Sequence, residues 1–370
     1  MAEAYINRIA TAVPPHEVHT AFVDYARAKL IGSGRNAVLF QRMVERSGIA
    51  RRYSCLSPDP DCPPDAVSAR DFYLGAHFPT TDERMRVFRA EAPALAQSAV
   101  ERLLPARERN RITHLLITCC TGFSAPGLDF EIMDRCSVPR TAERTTVGFM
   151  GCYAAVNALK LARHIVRSEV KARVLTVNLE LCTLHLQDTV DLEQVLSFLI
   201  FADGCAASLI SAEPEGLAIT RFHAAAIPAS RELITWNIGD TGFDMVLSGK
   251  VPGLLRTALP RCIDEVLDGT PPEMVRLWAV HPGGRSILDA VEQALSLPAS
   301  ALSASRDVLY RFGNMSSATV MFVLEQMLKQ GKPGELGCAM AFGPGVVAET
   351  MLFEHVGAPA PAARHHATVL

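Results

Sequence analysis

The chain has 370 residues, of which 49% are hydrophobic and 20% are charged, and this balance excludes a wholly disordered protein. Lysine and arginine total 36 against 39 acidic residues, and the formal net charge of −3 argues against a nucleic-acid-binding protein. No apolar run approaches the roughly 20 residues of a membrane-spanning helix, and the first residues lack the pattern of a secretory signal. We therefore expect a cytoplasmic protein whose ten cysteines are reduced.

Short buried strands and amphipathic helices alternate along the chain, which predicts an α/β fold. In the first half, the pattern predicts strands at 112–118, 173–177 and 206–210, and a helix over 154–166. In the second half, it predicts strands at 275–280 and 338–342, and helices over 286–295 and 316–328.

The polar segment 211–216 contains a proline and a glycine, and it predicts a boundary between two halves of the chain. We therefore expect one half over residues 1–213, a second half over 214–356 and a flexible tail over 357–370. The tail is rich in alanine and proline, and we interpret its two adjacent histidines as part of a loose end rather than as a metal site.

The cysteine spacings do not predict a metal site. The sequence has no CxxC pair and no HExxH motif, and the adjacent residues Cys119 and Cys120 suit tetrahedral ligation poorly. Most of the cysteines are therefore predicted to be small buried hydrophobes, which leaves the question of whether one of them is a nucleophile.

One candidate nucleophile is Cys152, which lies in the segment Gly148–Ala155 at or near the start of a strongly patterned helix. Unpaired amide N–H groups and the positive end of the helix dipole stabilise a thiolate at such a place. The small flanking residues would allow a substrate to approach closely. Taken alone, the motif also fits a buried structural cysteine at a glycine turn.

Two further motifs supply partners for a nucleophile. His281 follows a buried strand and is itself followed by a proline and two glycines, at the kind of strand-end loop that often carries catalytic groups. Asn314 precedes two serines and a helix, and taken alone it is an ordinary helix cap. A cysteine, a histidine and an asparagine together can attack a thioester and stabilise the oxyanion that forms.

These residues and several short motifs together resemble the type III polyketide synthases, the chalcone-synthase-like branch of the thiolase superfamily. The resemblance runs from about residue 5 to about residue 355. It depends on six segments in the family order: Cys120–Phe123, Gly151–Cys152, Phe201–Gly204, His281–Gly284, Gly313–Ser317 and Phe342–Gly345.

The resemblance implies a thiolase-like, five-layered αβαβα fold built from two related halves and working as a homodimer. It implies an acyltransferase that condenses a CoA-thioester starter with malonyl-CoA, repeatedly and with loss of CO2, and that needs no cofactor or metal. Cys152 would hold the growing chain, while His281 and Asn314 would stabilise the enolate. His281 would also keep Cys152 ionised as a thiolate–imidazolium pair.

The resemblance also implies the residues that bind CoA and shape the cavity. Arg42 and Arg46 lie four residues apart on one helical face and match basic residues that meet the CoA phosphates. Phe201 matches an aromatic gatekeeper between the CoA tunnel and the cavity. The remaining gatekeeper and cavity positions are Met245, Cys120, Cys182, His185, Ser197 and Ser316.

The sequence departs from the plant enzymes at several positions. Leu39 replaces a basic residue, Met245 a phenylalanine and Cys120 a threonine. Ala125 stands where a methionine crosses the plant dimer interface, and Ala341 where a glycine is usual. Because less aromatic bulk lines the cavity, we expect a bacterial-type enzyme that accepts a fatty acyl-CoA and makes an alkylpyrone or an alkylresorcinol.

Three alternatives remain open from the residues. An initiating ketoacyl synthase would use the same Cys/His/Asn set once, with malonyl delivered by an acyl carrier protein. A papain-like hydrolase would also place its cysteine before its histidine, although the flanking motif is missing. In a non-catalytic thiolase-fold subunit that acts in binding or assembly, these three residues would have no catalytic role. An acyl carrier protein is also a possible partner of the polyketide synthase itself.

Overall fold

The computed structural model describes residues 2–63 and 66–357, so the predicted tail lies outside the described residues except for Gly357. The strands of the described chain are β1 (Tyr5–Ala12), β2 (His16–Glu17), β3 (Tyr53–Ser54), β4 (Leu56–Ser57), β5 (Val67–Ser68), β6 (His114–Cys119), β7 (Glu143–Gly148), β8 (Val174–Leu181), β9 (Asp203–Ser211), β10 (Gly216–Ala226), β11 (Ile234–Gly239), β12 (Gly242–Leu247), β13 (Val275–Val280), β14 (Leu336–Gly343) and β15 (Val347–Gly357).

The helices of the described chain are α1 (His19–Lys29), α2 (Arg35–Arg46), α3 (Ala69–Leu74), α4 (Thr81–Leu103), α5 (Ala106–Arg109), α6 (Leu128–Cys136), α7 (Ala154–Ser168), α8 (Leu192–Ile200), α9 (Val251–Val266), α10 (Arg285–Ala294), α11 (Ser303–Phe312) and α12 (Thr319–Gln330). Among the described residues, no helix combines the length and the apolar character that crossing a membrane requires.

The main strands form a continuous series in the order β13-β14-β15-β10-β1-β9-β8-β6-β7. Strand β1 pairs with β9 along nearly its whole length, but it pairs with β10 only at Tyr5–Ala218 and Ile6–Leu217. The series is therefore two sheets joined by a short seam. One sheet contains β7, β6, β8, β9 and β1, and the other contains β10, β15, β14 and β13.

Helices lie on both sides of each sheet. Helices α7 and α12 lie between the two sheets and share one hydrophobic core with strands from both of them. Helices α4 and α6 cover the outer face of the first sheet, and α9 and α10 cover the outer face of the second, each with a core of its own. The layers therefore run helix, sheet, helix, sheet, helix, which confirms the predicted αβαβα order.

Burial on both faces explains the strand sequences. Every residue of β6, β8 and β9 is buried, which is why these strands are nearly continuous apolar runs rather than alternating patterns. The central helix α7 buries alanines at Ala155, Ala158 and Ala162. Small side chains there let the helix approach both sheets closely, so the segment just before it is fixed at the centre of the molecule.

The structure corrects the predicted start of one helix. The sequence predicts a helix over 316–328, whereas residues Ser316–Ala318 form a 3₁₀ turn and α12 begins at Thr319. Ser316 has a φ of +46°, which an α-helix does not allow. Its N–H donates 2.8 Å to the side-chain oxygen of Asn314, so the turn is shaped by the candidate site.

Candidate active site

Cys152 lies in a 3₁₀ turn, Gly151–Tyr153, directly before α7. Gly151 has a φ of +68°, and a Cβ at this position would lie 2.4 Å from the ring of Pro344. Only glycine therefore fits this turn. As predicted from the sequence, the cysteine is presented at the start of a well-formed central helix.

The surroundings of Cys152 favour the neutral thiol. Burial raises the pKa of the thiol to about 12, and the negative charge of Glu180 raises it as well. Hydrogen bonds from the side chains of Ser316 and Asn314 act in the opposite direction, since they stabilise the thiolate. Desolvation dominates, so the helix start alone does not ionise this cysteine.

His281 directly follows β13, and its N–H donates 2.7 Å to the carbonyl oxygen of Met340 on β14. The side chain is 1% exposed, and neither ring nitrogen has a hydrogen-bond partner within the described part of the chain. Burial lowers the pKa of the imidazole to about 3, so it is neutral. Burial of each group opposes the thiolate–imidazolium pair that the resemblance implies, and that pair stays a prediction.

Hydrogen bonds fix both the backbone and the side chain of Asn314. Its backbone N–H donates 2.8 Å to Ile200, and its carbonyl accepts 2.9 Å from Ala202. Its Oδ1 accepts hydrogen bonds from the N–H of Ser316 and the hydroxyl of Thr319. These two donors fix the orientation of the side-chain amide, so its other terminal atom is the nitrogen. That nitrogen donates 3.3 Å to the carbonyl of Gly283, two residues from His281.

The three predicted residues Cys152, His281 and Asn314 line one small cavity of about 60 Å³. They come from the N-terminus of α7, the end of β13 and the turn before α12. Apolar side chains supply most of the remaining wall, including Trp236 and Phe342. A thiol, an imidazole and an amide thus share a mostly apolar compartment, where hydrogen bonds to developing charge are strong.

Most of the predicted gatekeeper and cavity residues line this cavity. They are Phe201, Met245, Cys120, Cys182 and Ser316. Burial raises the pKa of both Cys120 and Cys182 well above the ordinary value, which favours their unreactive thiol forms. Cys120 also accepts 3.1 Å from the N–H of Gly151, so its sulfur supports the turn that carries Cys152.

His185 lies behind the cavity wall instead of lining it. Its Nε2 lies 2.7 Å from the carbonyl of Thr121 and its Nδ1 accepts 3.2 Å from the N–H of Phe243, which fixes a neutral ring. The ring stacks on Phe243 at 4.2 Å and supports the edge of Trp236. Burial lowers its pKa to about 3. His185 therefore lies behind Trp236, which lines the cavity, and helps to hold that side chain in position.

Ser197 lies in a surface groove of about 790 Å³, next to the cavity and outside its lining. Its hydroxyl donates 3.0 Å to the carbonyl of Glu193, one helical turn earlier. The groove and the cavity share Leu247, Val251 and Ile287, so a substrate arm in the groove would reach the nucleophile past these residues.

The groove carries one of the two predicted CoA-binding arginines. Arg46 lines it, whereas Arg42 is exposed one turn earlier on α2 and outside the lining. Neither arginine forms an ion pair with the described residues. Arg285, which the sequence analysis did not select, also lines the groove and pairs with Asp289 at 3.6 Å.

Glu180 is a further site residue that the sequence analysis missed. It is fully buried and accepts hydrogen bonds from Cys120 N–H (2.9 Å), Thr121 hydroxyl (3.0 Å) and Ser317 hydroxyl (2.6 Å). Burial raises its pKa to about 7, and these hydrogen bonds only partly oppose that rise. The available signal was an acidic residue inside a strand whose residues are mostly apolar, β8.

Phe201 stays a predicted gatekeeper between a CoA tunnel and the cavity, as the resemblance implies. It lines the cavity but not the groove, and it also lines a second cavity on the far side, shared with Cys182. The described residues therefore place it as a partition between two interior spaces, and Leu247 and Val251 stand at the boundary with the groove.

Comparisons with known proteins agree with this arrangement. Residues 2–214 match the family model of the N-terminal domain of chalcone and stilbene synthases, and residues 219–357 match that of the C-terminal domain. The chain is 31% identical to the alpha-pyrone synthesis polyketide synthase-like Pks18 of Mycobacterium tuberculosis, over 95% of this chain and 91% of the relative.

Two more similar proteins come from other kingdoms. The bisdemethoxycurcumin synthase of Oryza sativa is also 31% identical, over 94% of this chain and 92% of its own. The crystal structure of PKS-I from the brown alga Ectocarpus siliculosus superposes with a TM-score of 0.87 at 29% identity, covering 96% of this chain and 99% of that one. Family membership decides among the alternatives that the residues left open: this chain belongs to the chalcone and stilbene synthase family and is a type III polyketide synthase.

Proposed function

We propose that this enzyme loads a fatty acyl group from CoA onto Cys152, extends it with malonyl units and releases an alkylpyrone or an alkylresorcinol. The observation that carries the proposal is the mostly apolar cavity that Cys152, His281 and Asn314 line together. The relative named for alpha-pyrone synthesis supports the pyrone. Malonyl-CoA and acyl-CoA are the substrates that family membership supplies, and the chemistry needs no metal or redox group.

Loading begins from neutral partners. The thiol of Cys152 attacks the thioester carbonyl while its proton passes to the neutral imidazole of His281, which has a free ring nitrogen available. The tetrahedral intermediate collapses and expels the CoA thiolate, which takes the proton back from the imidazolium. Because the proton moves together with the attack, no stable thiolate has to exist in the dry cavity.

Decarboxylation needs hydrogen-bond donors that do not act as acids. When malonyl-CoA loses CO2, negative charge develops on its thioester oxygen. The amide nitrogen of Asn314 and a ring N–H of neutral His281 can donate to that oxygen and stabilise the enolate. Asn314 cannot transfer a proton near neutral pH, so the enolate is not quenched before it reacts.

Condensation then returns the sulfur to its starting state. The enolate carbon attacks the acyl carbonyl on Cys152, a carbon–carbon bond forms, the thiolate of Cys152 leaves, and a proton from solvent restores the neutral thiol. The extended chain is now on CoA and can be transferred back to the same sulfur for another round. Hydrogen bonds from Ser316 and Asn314 stabilise the departing thiolate.

The two halves of the chain contribute different parts of this reaction. We propose that residues 1–213 provide the nucleophile and the CoA-binding arginines, and that 214–356 provide the two oxyanion donors. Homodimerisation is proposed as well, and light scattering of the purified enzyme tests it. An acyl carrier protein stays a possible donor, and loading rates from matched acyl-CoA and acyl-carrier substrates compare the two.

The experiment that tests the proposal is a product assay. The purified enzyme is given malonyl-CoA and starters from acetyl-CoA to hexadecanoyl-CoA, with one aromatic starter, and products are measured by mass spectrometry. We expect alkylpyrones or alkylresorcinols with activity highest for medium or long chains. A preference for the aromatic starter, or products from malonyl-CoA alone, would contradict the fatty acyl assignment.

A further inference from the structure

Three side chains of the kind that bind metal ions lie together at the end of the first sheet that is remote from the active site. His114, Glu143 and Glu169 each offer one ligand atom, and these three atoms lie within 4.8 Å of one another. Within residues 2–63 and 66–357, no other group of three or more histidine, cysteine, aspartate or glutamate side chains is close enough to hold an ion. We call these three residues the His–Glu cluster.

Three elements of the fold bring the cluster together. Strands β6 and β7 are parallel, and their register places His114 directly beside Glu143 at the first residue of each strand. Register partners project from the same face of a sheet. Helix α7 packs across both strands and ends at Ser168, so that Glu169 lies next to their first residues. The cluster is therefore built on two strands and a helix end.

The imidazole of His114 is buried and oriented by its neighbours. The residue is 5% exposed, and its Nδ1 lies 2.8 Å from the hydroxyl of Thr113. That hydroxyl accepts 2.9 Å from the N–H of Arg173 and donates 3.3 Å to the carbonyl of the same residue. Because a hydroxyl has only one proton to donate, we assign the ring proton to Nδ1, which leaves a lone pair on Nε2.

This lone pair points into the cluster without a hydrogen-bond donor. Within the described part of the chain, Nε2 of His114 forms no hydrogen bond, and it faces a carboxylate oxygen of Glu143 at 3.7 Å. A lone pair and a carboxylate repel each other unless a cation lies between them. The buried ring nitrogen thus points to a bound cation independently of the proximity of the two glutamates.

The ligand atoms indicate which cations fit. An imidazole nitrogen with two carboxylate oxygens suits Zn²⁺ and similar first-row ions, whereas Mg²⁺ and Ca²⁺ prefer oxygen alone. Zn²⁺ lies about 2.0–2.2 Å from such atoms, and the exposed side chains of Glu143 and Glu169 can rotate to reach that distance. The hydroxyl of Thr113 on Nδ1 matches the outer partner that metal-binding histidines usually have.

We propose that the His–Glu cluster binds one first-row divalent cation such as Zn²⁺, through Nε2 of His114 and one carboxylate oxygen from each glutamate, with water completing the coordination. The ion would join the starts of β6 and β7 to the end of α7. The other ends of these elements lead to Cys120 and Cys152, and six-residue strands place them about 17 Å away. The ion therefore stabilises the frame of the active site and takes no part in the reaction.

The first experiment measures Zn²⁺ binding to the purified, metal-stripped enzyme by calorimetry and thermal unfolding. We expect one ion per chain and a rise in Tm, because an ion that binds only the folded state stabilises it. The ten cysteines are competing ligands for Zn²⁺. Co²⁺ is therefore the second probe, since thiolate ligation gives a near-ultraviolet charge-transfer band that nitrogen and oxygen ligands do not give. We expect no such band from the first equivalent.

Variants of the two exposed glutamates identify the ligands without disturbing the core. Glu143→Gln and Glu169→Gln should each weaken Zn²⁺ binding by roughly tenfold or more and remove the rise in Tm. Glu273→Gln, at an exposed glutamate before β13, is the matched control and should bind as the wild type does. Without metal, all three variants should form product at the wild-type rate.

Four results would overturn the proposal. They are no Zn²⁺ binding by the wild type, unchanged affinity in both cluster variants, a thiolate band from the first equivalent of Co²⁺, and an affinity for Ca²⁺ equal to that for Zn²⁺, which would exclude His114 as a ligand. None of these results affects the proposed function, because product formation is assayed without metal.

Discussion

The active-site cavity and the surface groove meet at Leu247, Val251 and Ile287. They differ in how strongly they disfavour a charged side chain. In the cavity, burial raises the pKa of Cys152 and lowers the pKa of His281, which favours the neutral form of each group. In the groove, Arg46 and Arg285 are exposed to solvent. The difference teaches that neighbouring spaces of one protein can favour opposite states of a charged group, because burial disfavours charge and exposure to water does not.

Of the substitutions that compare the cavity with the groove, the largest effect is expected at the nucleophile in the cavity. Cys152→Ala removes the only atom that can carry the acyl chain in the proposed mechanism, and we expect product formation to fall by roughly 10⁴-fold or more. Mass spectrometry should show no acyl-enzyme after incubation with acyl-CoA. Cys262→Ala, at a partly exposed cysteine on α9, is the control and should keep full activity. Normal loading in Cys152→Ala would place the nucleophile elsewhere.

The next largest effect is expected at the oxyanion donor. Asn314→Ala removes one of two neutral donors, so malonyl-CoA decarboxylation should fall by about 10²–10³-fold. Loading of Cys152 by acyl-CoA should fall much less, because Asn314 is proposed to act mainly on the enolate. The exposed Asn237→Ala serves as control. An equal loss in both steps would show that Asn314 holds the turn before α12 and has no specific role in decarboxylation.

Stability against pH tests the buried charge of Glu180. Its pKa is about 7 in the folded state against 4.5 normally, so the folded state binds the proton more tightly. This contribution to stability is complete below about pH 4.5 and is lost as pH rises through 7, on the order of 3 kcal/mol in total. In urea unfolding, the wild type should lose stability relative to Glu180→Gln between pH 5 and pH 8. Parallel pH profiles would contradict the raised pKa.

The smallest effects are expected in the groove. Arg46→Ala removes one exposed charge facing the CoA arm, so KM for acyl-CoA should rise about twofold to fivefold with kcat unchanged. The effect should shrink as salt is added, because exposed charges are screened. Arg107→Ala, on the exposed helix α5, is the control. A large fall in kcat would mean that the arginine acts on the chemical step.

Much of the candidate site could be predicted because short motifs report local geometry. The glycine before Cys152 is required by a positive φ and by the close approach of Pro344, and the strand before His281 has the predicted bounds. The prediction was weaker where a side chain's neighbours come from distant segments. His185 and Ser197 were expected in the cavity, but which side of a wall they occupy depends on how β12 and α8 pack.

By itself, the sequence determined the family, the α/β alternation and the three residues that meet in the cavity, because motifs and hydrophobic periodicity are local properties. Only the tertiary structure decided that burial favours the neutral forms of the cysteine and the histidine, since desolvation depends on everything packed around them. It also decided that Glu180 lies fully buried behind the cavity and that Phe201 separates two interior spaces. Such spaces are formed by residues far apart in the chain, and no local pattern encodes their volume.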